Sequence, residues 1–289
     1  MPPPEAWQFE AIGTAWQIDT AAPLETSTRT AVHECIEAFD AVWSRFRDDS
    51  VVSEIARGAG TWTLPDDADP LLSFYDDLHE LTAGAVNPLV GRTLADLGYD
   101  ADYSLAPSAH VAEVPQWSAV KRNGSVITTT ESLVIDVGAA GKGLLVDLVG
   151  NVLWSAGRNA YTIDASGDIY HHGTAPIRVA LEHPADATRA IGVVELEPED
   201  ALCGSATNRR AWGDGIHHVL DGRTGRPTSD VIATWVVAPH SCMVADGLAT
   251  ALFLAEPEQL LSRFTYEFVR MHADGRIDWS PDFPGEVFV

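Results

Sequence analysis

The chain has 289 residues, 46% of them hydrophobic and 8% aromatic, with 42 acidic against 18 basic side chains and a formal net charge of -24. That apolar content suffices for one large core or two smaller ones. A surface this acidic excludes nucleic acid and anionic lipid as natural partners, because both call for a basic face.

Cys35, Cys203 and Cys242 are odd in number and in no paired spacing, so neither a disulfide framework nor a thiolate metal centre is expected. No run reaches the ~18 apolar residues of a membrane span. The opening stretch MPPPEAWQFEAIGT lacks the basic, apolar and cleavage-site segments of a leader. The expectation is a cytoplasmic protein with no membrane insertion.

In chain order, Phe9 to Asp19 alternates as an opening strand. From Thr26 to Arg47 a helix follows, with Val32, Cys35, Ile36, Phe39, Val42, Trp43 and Phe46 at steps of three and four. A short second helix starts near Asp49 or Ser50. Leu71, Leu72, Tyr75, Leu78 and Leu81 share a helical face, broken at Gly84 ahead of another short helix. Residues 100–120 are aperiodic and read as a surface excursion. From residue 126 the pattern turns to strands, in VITTT, LVID, AYTID, IRVAL, IGVVELE and ATWVVA. Two helices interrupt them, from about Gly143 to Trp154 and from about Cys242 to Ala255, and a hairpin around Asp274-Gly275 closes the chain. Helices come early and strands late, which favours α+β, with helices mainly in the N-terminal part and a mixed or antiparallel sheet in the C-terminal part. No linker breaks the chain, so residues 1–289 are expected to form a single domain.

Four stretches carry possible chemistry. IDVGAAGKGLLVDLVG places Lys142, one of only two lysines, at a glycine-rich turn before a helix. It is neither a Walker A motif nor a dinucleotide fingerprint. Its glycines and helix start could still receive phosphates, or form a plain strand-to-helix turn. In CMVADGLATALFLA, Asp246 and Thr250 stand four apart on one helical face. A carboxylate beside a hydroxyl suits a hard, oxygen-seeking cation, although the same spacing is common on solvated faces. GIHHVLDGRTGRP holds adjacent histidines that point opposite ways in a strand, so at most one lines a given cleft as a general base. IDASGDIYHHG pairs a strand end with a tight turn, and its His171 and His172 read as strand-end or surface residues.

The order and spacing of these stretches resemble the ApbE family of flavin transferases (FAD:protein FMN transferases), over nearly the whole chain. SRFRDDSVVSEI is similar to the family's S-x-[YF]-x-x-D-S-E-L, and GAVNPLVG to G-x-[FM]-D-x-T-V-G, with Asn87 in place of Asp. IDVGAAGKGLLVD stands at D-L-G-[GA]-I-A-K-G-Y-A-V-D, IDASGDIYHHG at N-x-G-G-[DN]-I-x-x-x-G, and CGSATNRR at T-S-G-x-Y-x-R. HHVLDGRTGRP and MVADGLATALFLA resemble H-H-I-[IL]-D-P-x-T-G-x-P and A-D-[AG]-L-[AS]-T-A-L.

The resemblance implies an enzyme that cleaves FAD and places FMN, through a phosphoester, on a Thr or Ser of an acceptor flavoprotein with release of AMP. It also implies an active site in a cleft between the helices and the sheet, and site roles. Phe46 with Ala85, Val86 and Asn87 would line the FAD pocket, and Asp136 and Lys142 would bind FAD. The Ala139 carbonyl, Asp246 and Thr250 would hold Mg2+. His218 would be the base. Two other uses of the same site are a FAD pyrophosphatase and a non-catalytic FAD-binding or storage protein.

Overall fold

The computed structural model describes residues 5–288, so the first four residues of the leader reading lie outside it. Its centre is an eight-stranded sheet in which every neighbouring pair is antiparallel. In spatial order the strands are Glu5–Ala11, Thr14–Thr20, Tyr161–Asp164, Asp168–His172, Asp200–Ala206, Val231–Pro239, Glu267–His272 and Ile277–Trp279. The helices are α1 (Thr26–Trp43), α2 (Val51–Ile55), α3 (Ala68–Leu81), α4 (Gly91–Asp96), α5 (Gly141–Ser155), α6 (Cys242–Ala251) and α7 (Pro257–Leu261). The expected α+β class with antiparallel sheet is what the chain adopts.

Side chains alternate across the sheet, so each inner strand feeds two cores. Ala201, Cys203, Val236 and Ala238 join the core under the helices, where α1, α3, α5 and α6 bury Phe39, Leu72, Tyr75, Leu145 and Leu248. Leu202, Trp235, Val237 and Val269 point the other way, against Leu181, Val194 and Leu196 of a three-stranded sheet built from Ile177–His183, Asp186–Leu196 and Gly285–Val287. On α3, Leu71, Leu72, Tyr75 and Leu78 are 1% exposed or less. At about 1.5–3 kcal/mol per fully buried side chain, that stripe anchors the helix.

Several expectations change. The single strand over 9–19 is a hairpin, turned at Ile12 and Gly13, whose φ values of 45° and 72° are those of a two-residue hairpin turn. Helix α1 stops at Trp43 instead of Arg47, because Ser44 is extended and the Ser50 and Ser53 hydroxyls donate to the Ser44 and Arg47 carbonyls, folding the chain back into α2. Phe46 is therefore freed from the helical stripe. LVID is not a strand: its amides go instead to the Ile55 and Pro88 carbonyls, from Leu133 and Asp136. The strand Asp200–Ala206 went unread because ALCGSA has neither β-branched residues nor alternation. His171 and His172 do end the strand Asp168–His172, but His171 is not at the surface; it is buried between the Thr162 hydroxyl and the Ala175 carbonyl. Cys203 and Cys242, far apart in sequence, bring their sulfurs to 3.3 Å as free thiols.

Candidate active site

Helices α5 and α6 cross at their N-terminal ends, and glycine makes the crossing possible. A Cβ on Gly143 would lie 2.3 Å from the Cys242 carbonyl oxygen and 2.8 Å from the Asp246 Cβ. With no Cβ there, the Gly143 amide reaches the Asp246 carboxylate and donates to Oδ2 at 2.9 Å. The first turn of α6 is held by Asp147 of α5, whose carboxylate accepts from the Cys242 and Met243 amides and the Ser241 hydroxyl at 2.8–3.0 Å. That arrangement fixes the pitch of α6 and with it the side chains one turn on.

Three of the expected metal residues meet here. The Thr250 hydroxyl lies 3.4 Å from the Ala139 carbonyl, donating to it, and Asp246 sits one turn earlier on the same helix. Among the described residues no group of three His, Cys, Asp or Glu side chains forms a metal cluster. The grouping seen is instead one carboxylate, one hydroxyl and one carbonyl, a hard-oxygen set that fits Mg2+ better than a soft metal. The surrounding charge fits as well. Asp168, opposite Cys203 in the sheet register, is buried, with Oδ2 paired to Lys142 and Oδ1 without a hydrogen-bond partner among the described residues. Burial pushes the Asp168 carboxyl up, and burial together with Asp168 pushes Asp246 well up. Two buried carboxylates thus face one ammonium, Lys142, and a divalent cation would relieve the excess.

Lys142 is more tightly held than its turn suggested. Its Nζ donates to the Ala165 carbonyl at 2.9 Å and pairs with Asp168 at 2.8 Å. Burial works against its charge, but Asp168 and Asp246 win and raise it to about 12. The helix begins at Gly141, two residues before the expected start.

The second half of the site is aromatic and basic. Phe46 packs against Tyr99 and Tyr103, near Trp212 and Leu220. The Arg45 guanidinium lies 4.2 Å from the Phe46 ring centroid. Its Nε donates to Asp136 at 2.5 Å and its Nη1 to the Tyr99 carbonyl at 2.8 Å. Burial would raise the Asp136 carboxyl, yet Arg45 and the Gly138 amide hold it below the usual carboxylate range. Ala85, Val86 and Asn87 are buried; the Gly222 amide donates to Ala85, while the Asn87 side chain caps Leu89 and donates to Pro115. The Asp136 amide donates to the Pro88 carbonyl, which ties this segment to the two halves of the site.

The adjacent histidines separate, though not by strand alternation: the strand is only Ile216–His217, and His218 lies in the bend after it. His217 is buried on the Thr228 carbonyl, while His218 is half-buried beside Arg210. The contact of His218 Nδ1 with the Arg210 carbonyl, 3.4 Å, assigns the proton to Nδ1 and leaves the Nε2 lone pair free. Burial and the Arg210 charge lower the His218 pKa to about 4. The ring is thus a neutral acceptor at neutral pH.

Sequence reasoning missed Arg45, Asp168, Arg210 and the hydroxyl of Tyr75. That hydroxyl is buried without a hydrogen-bond partner and feels both Asp136 and Asp246, which with burial drive its pKa well up. Each looked like a helix end, a turn or a core aromatic, and only long-range folding brings them here.

The model of the ApbE family matches residues 12–269. A FAD:protein FMN transferase of Rhodobacter capsulatus is 27% identical over 270 residues, covering 86% of this chain and 51% of that protein. One of Vibrio cholerae is 33% identical over 135 residues, covering 44% of this chain and 40% of that protein. The chain therefore spans about half the length of these first curated relatives, or less. The crystal structure of the ApbE protein of Thermotoga maritima superposes with a TM-score of 0.83 at 22% identity, over 98% of this chain and all of that one, which shows a shared fold.

Proposed function

The chain belongs to the ApbE family, and on that premise we propose that it is a Mg2+-dependent FAD:protein FMN transferase, with residues 1–289 as one transferase domain. The observation that carries the reading is the meeting of Ala139, Asp246 and Thr250 beside Lys142, where the N-termini of α5 and α6 cross. With a divalent cation held there, such a set would recognise a diphosphate better than any neutral ligand, in a protein whose net charge would otherwise repel it.

In this reading a Thr or Ser hydroxyl of an acceptor flavoprotein attacks the FMN-side phosphorus of FAD. The phosphorus–oxygen bond to the AMP half breaks, AMP leaves with the bridging oxygen, and a phosphoester to the acceptor forms. The hydroxyl proton passes to Nε2 of His218, which the Arg210 carbonyl holds in the required tautomer. Mg2+ held by Asp246, Thr250 and the Ala139 carbonyl would supply Lewis-acid neutralisation of the diphosphate. Lys142 lends a fixed positive charge, and Phe46 with Ala85, Val86 and Asn87 forms the wall for FAD. Phosphoryl transfer needs this kind of placement and charge offset more than covalent help. A cytoplasmic setting, with the acceptor there or on the cytoplasmic side of a membrane, completes the proposal. No helix among the described residues is long and apolar enough to cross a membrane.

The test is incubation of the purified protein with FAD and Mg2+, with and without a threonine-containing acceptor, following AMP and acceptor mass together. The expected result is one FMN per acceptor with AMP in step, abolished by chelation and by Asp246→Ala. AMP with an unmodified acceptor at the turnover rate would make it a pyrophosphatase; bound and intact FAD would make it a storage protein. Full activity in Asp246→Ala would sink the metal assignment.

A further inference from the structure

Arg45 carries a donor that the protein does not use. Its side chain is 6% exposed, Nε is spent on Asp136 and Nη1 on the Tyr99 carbonyl, and Nη2 is buried with no hydrogen-bond partner among the described residues. A buried guanidinium N–H left unpaired carries the desolvation penalty of the group, which a ligand accepting from it removes. The surroundings say what kind of ligand. The guanidinium lies 4.2 Å from the Phe46 centroid and 4.9 Å from that of Tyr99. Tyr103, half exposed, stacks on Phe46 with the two rings 8° from parallel and centroids 5.4 Å apart. Phe46 thus already accepts a flat ring in parallel. Asp136 neutralises the Arg45 charge at 2.5 Å, so the free N–H suits a neutral carbonyl better than a fully charged phosphate.

We propose that Arg45 is a substrate-positioning residue whose buried Nη2 donates to the carbonyl edge of the isoalloxazine ring of FAD, stacked against Phe46. The inference rests on FAD as the substrate but not on which reaction follows. Nε and Nη1 fix the guanidinium plane, and Nη2 then sets how the ring lies and so where the diphosphate falls relative to Lys142. Tyr103, on a backbone with φ of 50°, holds the ring's place in the free protein.

Equilibrium titration of flavin fluorescence tests this with riboflavin, FMN and FAD, and with AMP as a competitor. In Arg45→Met, affinity for all three flavins falls by about 10-fold or more, as loss of one charge-assisted bond requires, while AMP competes as before. Arg45→Lys keeps an ion pair for Asp136, and with it the fold, but lacks the fork; it shows the same flavin loss with an unchanged melting curve. Riboflavin bound as tightly by either variant as by the wild type overturns the proposal. So does a loss confined to FAD and AMP, which would turn the free donor toward the nucleotide half. A wild-type protein that binds no flavin removes the substrate reading and this inference together.

Discussion

His218 is the residue whose chemistry is most exposed to test. An ordinary histidine would lose its base form as pH falls through about 6.5, whereas this ring, lowered to about 4 by burial and Arg210, stays neutral. Its folded pKa is depressed, so between about 6.5 and 4 the unfolded chain takes up a proton that the folded chain refuses, and stability falls as pH falls through that window. Activity behaves differently: the base form survives down to about 4, so the acid limb of kcat shows no His218 titration near 6.5. A pH profile of transfer, run beside a thermal melt at each pH, separates the two effects. A limb centred at 6.5 that vanishes in His218→Asn would show the ring to be solvated and the geometry wrong. At neutral pH, His218→Ala lowers kcat by about 100-fold or more, the usual worth of a positioned base, while FAD affinity is retained. The two histidines also show how far sequence reaches at this scale. The strand expected through both ends at His217, so His218 takes its place from a bend, and the Arg210 carbonyl that sets its tautomer arrives from eight residues away, which no local pattern announces.

At the scale of elements, the α5–α6 crossing decides whether the proposed metal residues Ala139, Asp246 and Thr250 meet. Alanine at Gly143 would gain about 1 kcal/mol of helix propensity. Against that, its Cβ would stand 2.3 Å from the Cys242 carbonyl oxygen and 2.6 Å from its carbon, backbone atoms that move only with the helix. Overpacking of this kind costs about 1–3 kcal/mol and here exceeds the gain. Gly143→Ala is therefore expected to lower the melting temperature by a few degrees and, by pushing α6 outward, to raise the Mg2+ concentration needed for half-maximal transfer. Calorimetry and a Mg2+ titration check the two halves; a stabilised variant with unchanged Mg2+ dependence would mean that the helices do not cross this closely. The sequence made both helices legible, since each carries a dense apolar run, and it put Asp246 and Thr250 on one face of the second. It did not reveal Asp168, because that residue's function depends on the strand Asp200–Ala206, whose small side chains carry no strand signature. Nor did it reveal Arg45, which the helical period carried into α1 until the Ser50 and Ser53 hydroxyls turned the chain away.

Over the whole molecule the governing fact is the charge of -24. Near the site the signs nearly balance: Arg45, Lys142 and Arg210 stand among Asp136, Asp168 and Asp246. The local pairs act over a few ångströms, whereas an approaching FAD dianion feels the net negative field from far outside. At ~10 mM salt that field reaches about 30 Å, and at physiological salt about 8 Å. Added salt should therefore speed FAD association, the reverse of ordinary electrostatic steering, where salt slows encounter. Stopped-flow mixing at low and physiological ionic strength, with Mg2+ activity held constant, is expected to show a several-fold higher association rate at the higher strength and little change in dissociation. A rate that falls with salt would mean that Arg45, Lys142 and Arg210 project a positive funnel beyond the surface, and that the acidic residues are turned to the opposite side. The same field bears on the proposed acceptor: a protein bringing its Thr or Ser to His218 approaches a net charge of -24, so basic residues flanking the target hydroxyl should lower KM for the acceptor, and salt should erase that advantage while it speeds FAD.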